Sequence, residues 1–300
     1  MLLLLLAAVC VGIVALTAHF RARSHSRMRL LARLPAENAL LLYLDFAALR
    51  QIGLLSLLEA SDPFQEPEYR AFRAATGFDY LRDLDWALAA LGPAGNYFLL
   101  KGRFNWTALN DYVVGQGGTC YNTLCRVSGS TPERKISYCP LQPAVMALAV
   151  APDEFAATRL LLSRNPGPRP AAWPDRPAWL FVPAARLRRR DTLPAGARPL
   201  LEALEVTDGL LLAADARQGQ LELMLEASCR GAPEAAALAA QLQRLTGLLA
   251  QSLAAANKPP DPRDLSGVLT GGSFESRGRT VVGRWPLPRA FLESLAGGGR

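Results

Sequence analysis

The chain has 300 residues, half of them apolar, with a formal net charge of +7 and two histidines. Both histidines, His19 and His25, lie near the N-terminus, so Ser-His-Asp catalysis, Cys-His catalysis and histidine metal sites are excluded from everything that follows. No Gly-x-x-x-x-Gly-Lys phosphate loop occurs.

Leu2 to Ala18 contains no charged residue. At about 1.5 Å per residue a helix over it spans about 26 Å, just short of a hydrocarbon core of about 30 Å. Nothing basic precedes the run and no Ala-x-Ala follows it, so an uncleaved anchor fits better than a cleaved signal. Arg21, Arg23, Arg27, Arg29 and Arg33 come next, with no acid before Glu37, and supply five of the net +7 charges. Arg21, Arg23, Arg27 and Arg29 are therefore candidates for contact with anionic headgroups, and no nucleic-acid partner is expected. The positive-inside rule would keep the rest of the chain cytoplasmic. An anchor at the N-terminus with a large domain behind it is the plan of an exported protein, and the expectation is a single-pass membrane protein with an extracytoplasmic body.

LLLYLDFAALR, from Leu40, reads as an apolar strand turning at Asp45 into a helix; AWLFVPAARLR, from Ala178, has the same form. After the first comes a hairpin: an apolar run from Trp86, a turn at Gly92-Pro-Ala-Gly95, and a return strand from Tyr97. Asn105 then caps a helix carrying Trp106, Leu109, Tyr112 and Val113, which ends at Gly115-Gln-Gly-Gly. Val145 to Ala151 is a further strand leading into a helix at Pro152. Thr207 to Ala227 repeats the hairpin, and a long helix from Pro233 to about Ala256 places Leu238, Leu242, Leu245, Leu249 and Leu253 on one stripe. A third copy starts at Leu265, turns at Gly278, and ends in a helix from Pro288 to Leu295; Gly283-Arg-Trp echoes Gly102-Arg-Phe. Asp85, Asp208 and Ser266 stand at matching places before the three turns, as residues that fix the start of a strand.

Between the copies, Arg164 to Pro177 holds five prolines and reads as an extended linker. The expected class is α+β: repeated strand-helix-hairpin-helix units forming mostly antiparallel sheet packed by helices, behind an N-terminal transmembrane helix. The expected organisation is 1–20 anchor or signal, 21–37 basic juxtamembrane segment, 38–163 first half, 164–177 linker and 178–300 second half. Removing residues 1–33 should then leave a folded body.

Cys120, Cys125, Cys139 and Cys229 lack zinc-ribbon spacing, and a Cys120–Cys125 disulfide across a short loop suits an oxidising compartment. Asp79, Asp83 and Asp85 form the densest acidic group; their reading as turn and cap residues stands beside acid-base or calcium chemistry. Arg186, Arg188, Arg189 and Arg190 form a second basic run, a solvated face or a contact for an anionic polymer. No catalytic, cofactor or metal residue is assigned.

The run TGFDYLRDLD from Thr76, with Gly102-Arg-Phe-Asn-Trp, Asp264-Leu-Ser-Gly-Val-Leu-Thr and Gly283-Arg-Trp-Pro-Leu, resembles a family of bacterial membrane-anchored proteins, domains of unknown function behind a short N-terminal anchor. The resemblance covers most of the chain after Leu34 and implies no catalytic residues. The leading expectation is a non-enzymatic, membrane-anchored envelope protein that binds a protein or another envelope component. The alternatives are a histidine-free carboxylate enzyme and a binder of anionic polymer or lipid.

Overall fold

A computed structural model describes residues 27–55, 67–131, 133–187, 203–204, 206–217 and 220–296. The expected anchor, Arg21, Arg23 and Arg188 to Arg190 lie outside them. Among the described residues no helix is long and apolar enough to cross a membrane.

Twelve strands form one sheet, and every neighbouring pair is antiparallel. They are β1 (Leu40–Leu44), β2 (Leu84–Gly92), β3 (Gly95–Gly102), β4 (Thr119–Tyr121), β5 (Leu124–Ser128), β6 (Lys135–Gln142) and β7 (Val145–Ala151), then β8 (Ala178–Pro183), β9 (Gly209–Arg217), β10 (Gln220–Ser228), β11 (Ser273–Arg277) and β12 (Thr280–Leu287). The two apolar runs that looked alike in the sequence, β1 and β8, pair at the centre, with Tyr43 opposite Trp179. Outward from β1 the order is β2, β3, β7, β6, β5, β4; outward from β8 it is β9, β10, β12, β11. Each wing thus continues with a hairpin, then a second hairpin whose later strand lies inward.

The sheet is accompanied by helices α1 (residues 27–33), α2 (Phe46–Gln51), α3 (Pro67–Thr76), α4 (Tyr80–Asp83), α5 (Trp106–Gly115), α6 (Ala184–Leu187), α7 (Ala232–Ala255), α8 (Leu265–Thr270) and α9 (Arg289–Ala296), and by a 3-10 helix at Ala156–Leu161. Period-two alternation assigns the faces. In the second wing Leu225, Ala227, Val281 and Trp285 meet Leu238 and Leu242 of α7, Val268 of α8 and Phe291 of α9. On the same side of the first wing, Tyr138 and Met146 meet Leu109 and Val113 of α5. Of the α7 leucine stripe only Leu238 and Leu242 are fully buried; Leu245, Leu249 and Leu253 are partly so.

The opposite face of the first wing is closed by chain that the sequence reading left outside the body. Leu31 of α1 and Leu34 just after it are wholly buried against Tyr43, Leu88, Leu99 and Ala147, together with Ala156, Ala157 and Leu160. Leu31 and Leu34, inside the 21–37 segment expected outside the body, therefore belong to the first core, with Met28 and Leu30 packed against it. The Pro-rich stretch has no regular structure, as expected, but it is strapped down. The Arg169 guanidinium donates to the carbonyls of Leu31, Ala32 and Leu34 at the C-terminal end of α1, and to those of Asn165 and Gly167. Arg33 does the same for Leu160, Leu161 and Leu162 at the end of the 3-10 helix. Gly167 lies so close to this strap's neighbour that an added Cβ would stand 2.1 Å from the Ala36 carbonyl carbon.

Candidate functional site

Three aspartates were candidates for chemistry, and the structure separates their duties. Asp79 caps α4: its carboxylate accepts from Leu81 N–H at 3.0 Å and from the Tyr69 hydroxyl at 3.1 Å, with Arg73 3.4 Å away. Asp83 accepts from Asp79 N–H at 2.9 Å and from the Arg103 guanidinium at 2.9 Å. Asp85 sits at a bulge between Leu84 and Trp86 and faces Lys101 at 3.6 Å. The three carboxylates have different partners, and among the described residues no group of three acidic, cysteine or histidine side chains is placed to hold a metal.

The strand-starting role expected for Asp85, Asp208 and Ser266 needs correcting. Neither aspartate side chain caps a backbone N–H, and Ser266 lies inside α8, where it accepts from Asp261 N–H and donates to Asp264. The recurring cap is one element earlier, at Asp79 before α4 and Asp264 before α8.

Cys120 and Cys125 lie directly opposite each other on β4 and β5 and are joined by a disulfide, with Cα atoms 4.0 Å apart. The two-residue turn between the strands puts Asn122 and Thr123 at positive φ, 46° and 72°, the turn geometry that matches strand twist in a hairpin. Cys139 and Cys229 are buried free thiols, and burial raises the pKa of both.

The arginines divide. Arg29 is exposed on α1, whereas Arg27 turns inward, and Arg186 is half-buried on α6 beside the core residue Leu187.

Arg27 leads to a concave polar site at the junction of the wings. A cleft of about 280 Å³ is lined by Arg27, Asp45, Gln51, Asp175, Arg176 and Asp215, with Ala48, Ile52 and Pro177 beside them. It is built by the central pair. Where β1 ends, Asp45 N–H donates to the Pro177 carbonyl just before β8, at 2.7 Å, tying the strap to the strand. Its Oδ1 accepts from Ala48 N–H at 3.0 Å and caps α2; its Oδ2 accepts from the Tyr43 hydroxyl at 3.1 Å. Burial is the main cause that pushes the Tyr43 pKa up, opposed by Arg27 and helped by Asp45, so the phenol stays protonated and donating. The Arg27 guanidinium lies 5.7 Å from the Tyr43 ring centre and 5.6 Å from that of Trp173. Behind it Tyr43, Trp173 and Trp179 pack edge-on and stacked at 4.7 to 5.8 Å. Two ion pairs cross the cleft loosely, Arg27 to Asp45 at 3.9 Å and Arg176 to Asp215 at 3.6 Å. Among the described residues its polar lining consists of three carboxylates, two guanidinium groups and the Gln51 amide, so it offers charged groups of both signs to a ligand.

The sequence matches no family model and no curated protein. In fold it is similar to crystal structures of TP0453. Form I is 10% identical, covers 89% of this chain and 96% of that one, and has a TM-score of 0.49. Form IV is 9% identical, covers 89% and 94%, and has a TM-score of 0.48.

Of this site the sequence reading had only Arg27, as a headgroup contact, and Asp45, as a helix start. Asp175, Arg176 and Trp173 fall in the stretch whose prolines read as linker. The signal was their composition: a tryptophan and an ion pair's worth of charge inside a stretch that a free linker would fill with small polar residues.

Proposed function

We propose that this chain is a non-enzymatic, membrane-tethered binding protein of the cell envelope. Residues 1–20 anchor it, and the sheet body stands on the extracytoplasmic side and holds a protein or another envelope component. The observation that carries this reading is the Cys120–Cys125 disulfide, which belongs in an oxidising compartment, while Cys139 and Cys229 are shielded in the cores. Binding is favoured over catalysis because Asp79, Asp83 and Asp85 are each held by a backbone N–H or a cation, and in the junction cleft Asp45 and Asp215 each face an arginine.

The body itself reads as a duplicated unit. The support is the matching order of hairpins on the two sides of β1 and β8, and the antiparallel pairing of those two strands, which a two-fold relation between copies produces.

The test is to quench expressing cells in acid, alkylate free thiols, and map the peptides of the membrane fraction by mass. The expected result is that Cys120 and Cys125 take the label only after reduction. Labelling of both without reduction, in chain recovered from its native membrane, would overturn the proposal.

A further inference from the structure

We infer that the junction cleft binds a small zwitterion of amino-acid or dipeptide size, with its carboxylate on Arg27 and its ammonium group among Asp175, Asp45 and Asp215. The inference rests on the binding reading above and names a ligand class for the same cleft.

Size comes first. A volume of about 280 Å³ is roughly nine waters' share of liquid, at about 30 Å³ each, which is room for a ligand of about ten heavy atoms.

Charge decides the class. The lining sets three carboxylates against two guanidinium groups. A simple anion drawn to Arg27 would lie against Asp45, and a simple cation drawn to Asp175 would lie near Arg176. A ligand carrying both charges meets a partner at each end.

Arg27 is prepared for this. It lies over two aromatic rings, yet among the described residues it makes no hydrogen bond, since Asp45 at 3.9 Å is beyond hydrogen-bond reach. Its side chain is 30% exposed, so the fork of donors is part-desolvated and still open to the cleft. A planar fork of that kind matches a carboxylate bidentately. Asp45 cannot move to satisfy it, because both its oxygens are engaged, one by the cap of α2 and one by Tyr43. Asp175 is exposed at the rim, and its carboxylate has no partner among the described residues.

The experiment is calorimetric titration of the intact chain in detergent with three probes: glycylglycine, glycylglycinamide, which lacks the carboxylate, and N-acetylglycylglycine, which lacks the ammonium group. Saturable binding of glycylglycine is expected, with each blocked form weaker by about tenfold or more, the discrimination given by a charge pair left unmade. Arg27→Gln should bind glycylglycine no better than glycylglycinamide, and Asp175→Asn, at an exposed position, should narrow the gap to N-acetylglycylglycine while melting like the parent. Equal binding of all three probes, or no saturable binding below roughly 10 mM, overturns the inference. Either failure leaves the disulfide mapping unaffected, so the ligand class and the envelope reading fail separately.

Discussion

Truncation at the N-terminus is where the structure departs most sharply from the sequence reading, and the cost can be worked out. Cutting after Arg33 removes the fully buried Leu31 and the partly buried Met28 and Leu30. A fully buried leucine contributes about 2 to 3 kcal/mol and two half-buried side chains about 1 kcal/mol each. Arg169 also loses the Leu31 and Ala32 carbonyls, and Asn165 N–H loses Ala32, at about 1 to 3 kcal/mol for polar groups left in a part-buried place. The total, about 5 to 8 kcal/mol, is comparable with the whole stability of a typical domain, about 5 to 15 kcal/mol. Cutting after Ser26 removes none of these contacts. In thermal melts followed by circular dichroism, the chain lacking residues 1–26 should unfold cooperatively. The chain lacking residues 1–33 should fail to fold, or melt about 15 °C lower at about 2 to 4 °C per kcal/mol. If the two melted within about 3 °C of each other, the burial argument for α1 would be wrong.

Arg169→Met should lower stability by about 3 kcal/mol in urea titration with an unchanged slope, because five carbonyl contacts lose their donor while the aliphatic stem is kept. Asp79→Ala should cost about 2 to 4 kcal/mol, since a cap, a tyrosine hydroxyl and a nearby arginine lose one acceptor, whereas Asp85→Ala should cost less than about 1 kcal/mol; equal melting shifts for the two would contradict the assignment. Cys139 and Cys229 should resist iodoacetamide at neutral pH until the chain is unfolded, because the reactive thiolate is disfavoured by burial in both; rapid labelling of the native protein would show that their cores open.

Much of the architecture was legible because it is written in short-range signals. The strand that turns into a helix at Asp45, the Gly92 to Gly95 hairpin turn, the Asn105 cap and the long helix after Gly231 all stand where the pattern puts them. What the pattern lacks is knowledge of partners far along the chain. β4 and β5 are only three and five residues long, too short for a periodic signal, and are defined by their pairing with each other and that of β5 with β6. α1 reads as a membrane-surface segment because arginines dominate its composition, yet Leu30, Leu31 and Leu34 face the first core, and the strap that closes over them lies more than a hundred residues further along the chain. The junction cleft was hidden for the same reason. Its residues come from α1, the end of β1, α2, the strap and β9, and the pairing of β1 with β8 brings them together.

The measurement that tests the central claim most directly is protease treatment of spheroplasts expressing the full chain with a C-terminal epitope. A tethered extracytoplasmic body predicts loss of the epitope from intact spheroplasts, with a cytoplasmic marker untouched. Protection of the epitope until the membrane is lysed would place the body on the other side and contradict the account.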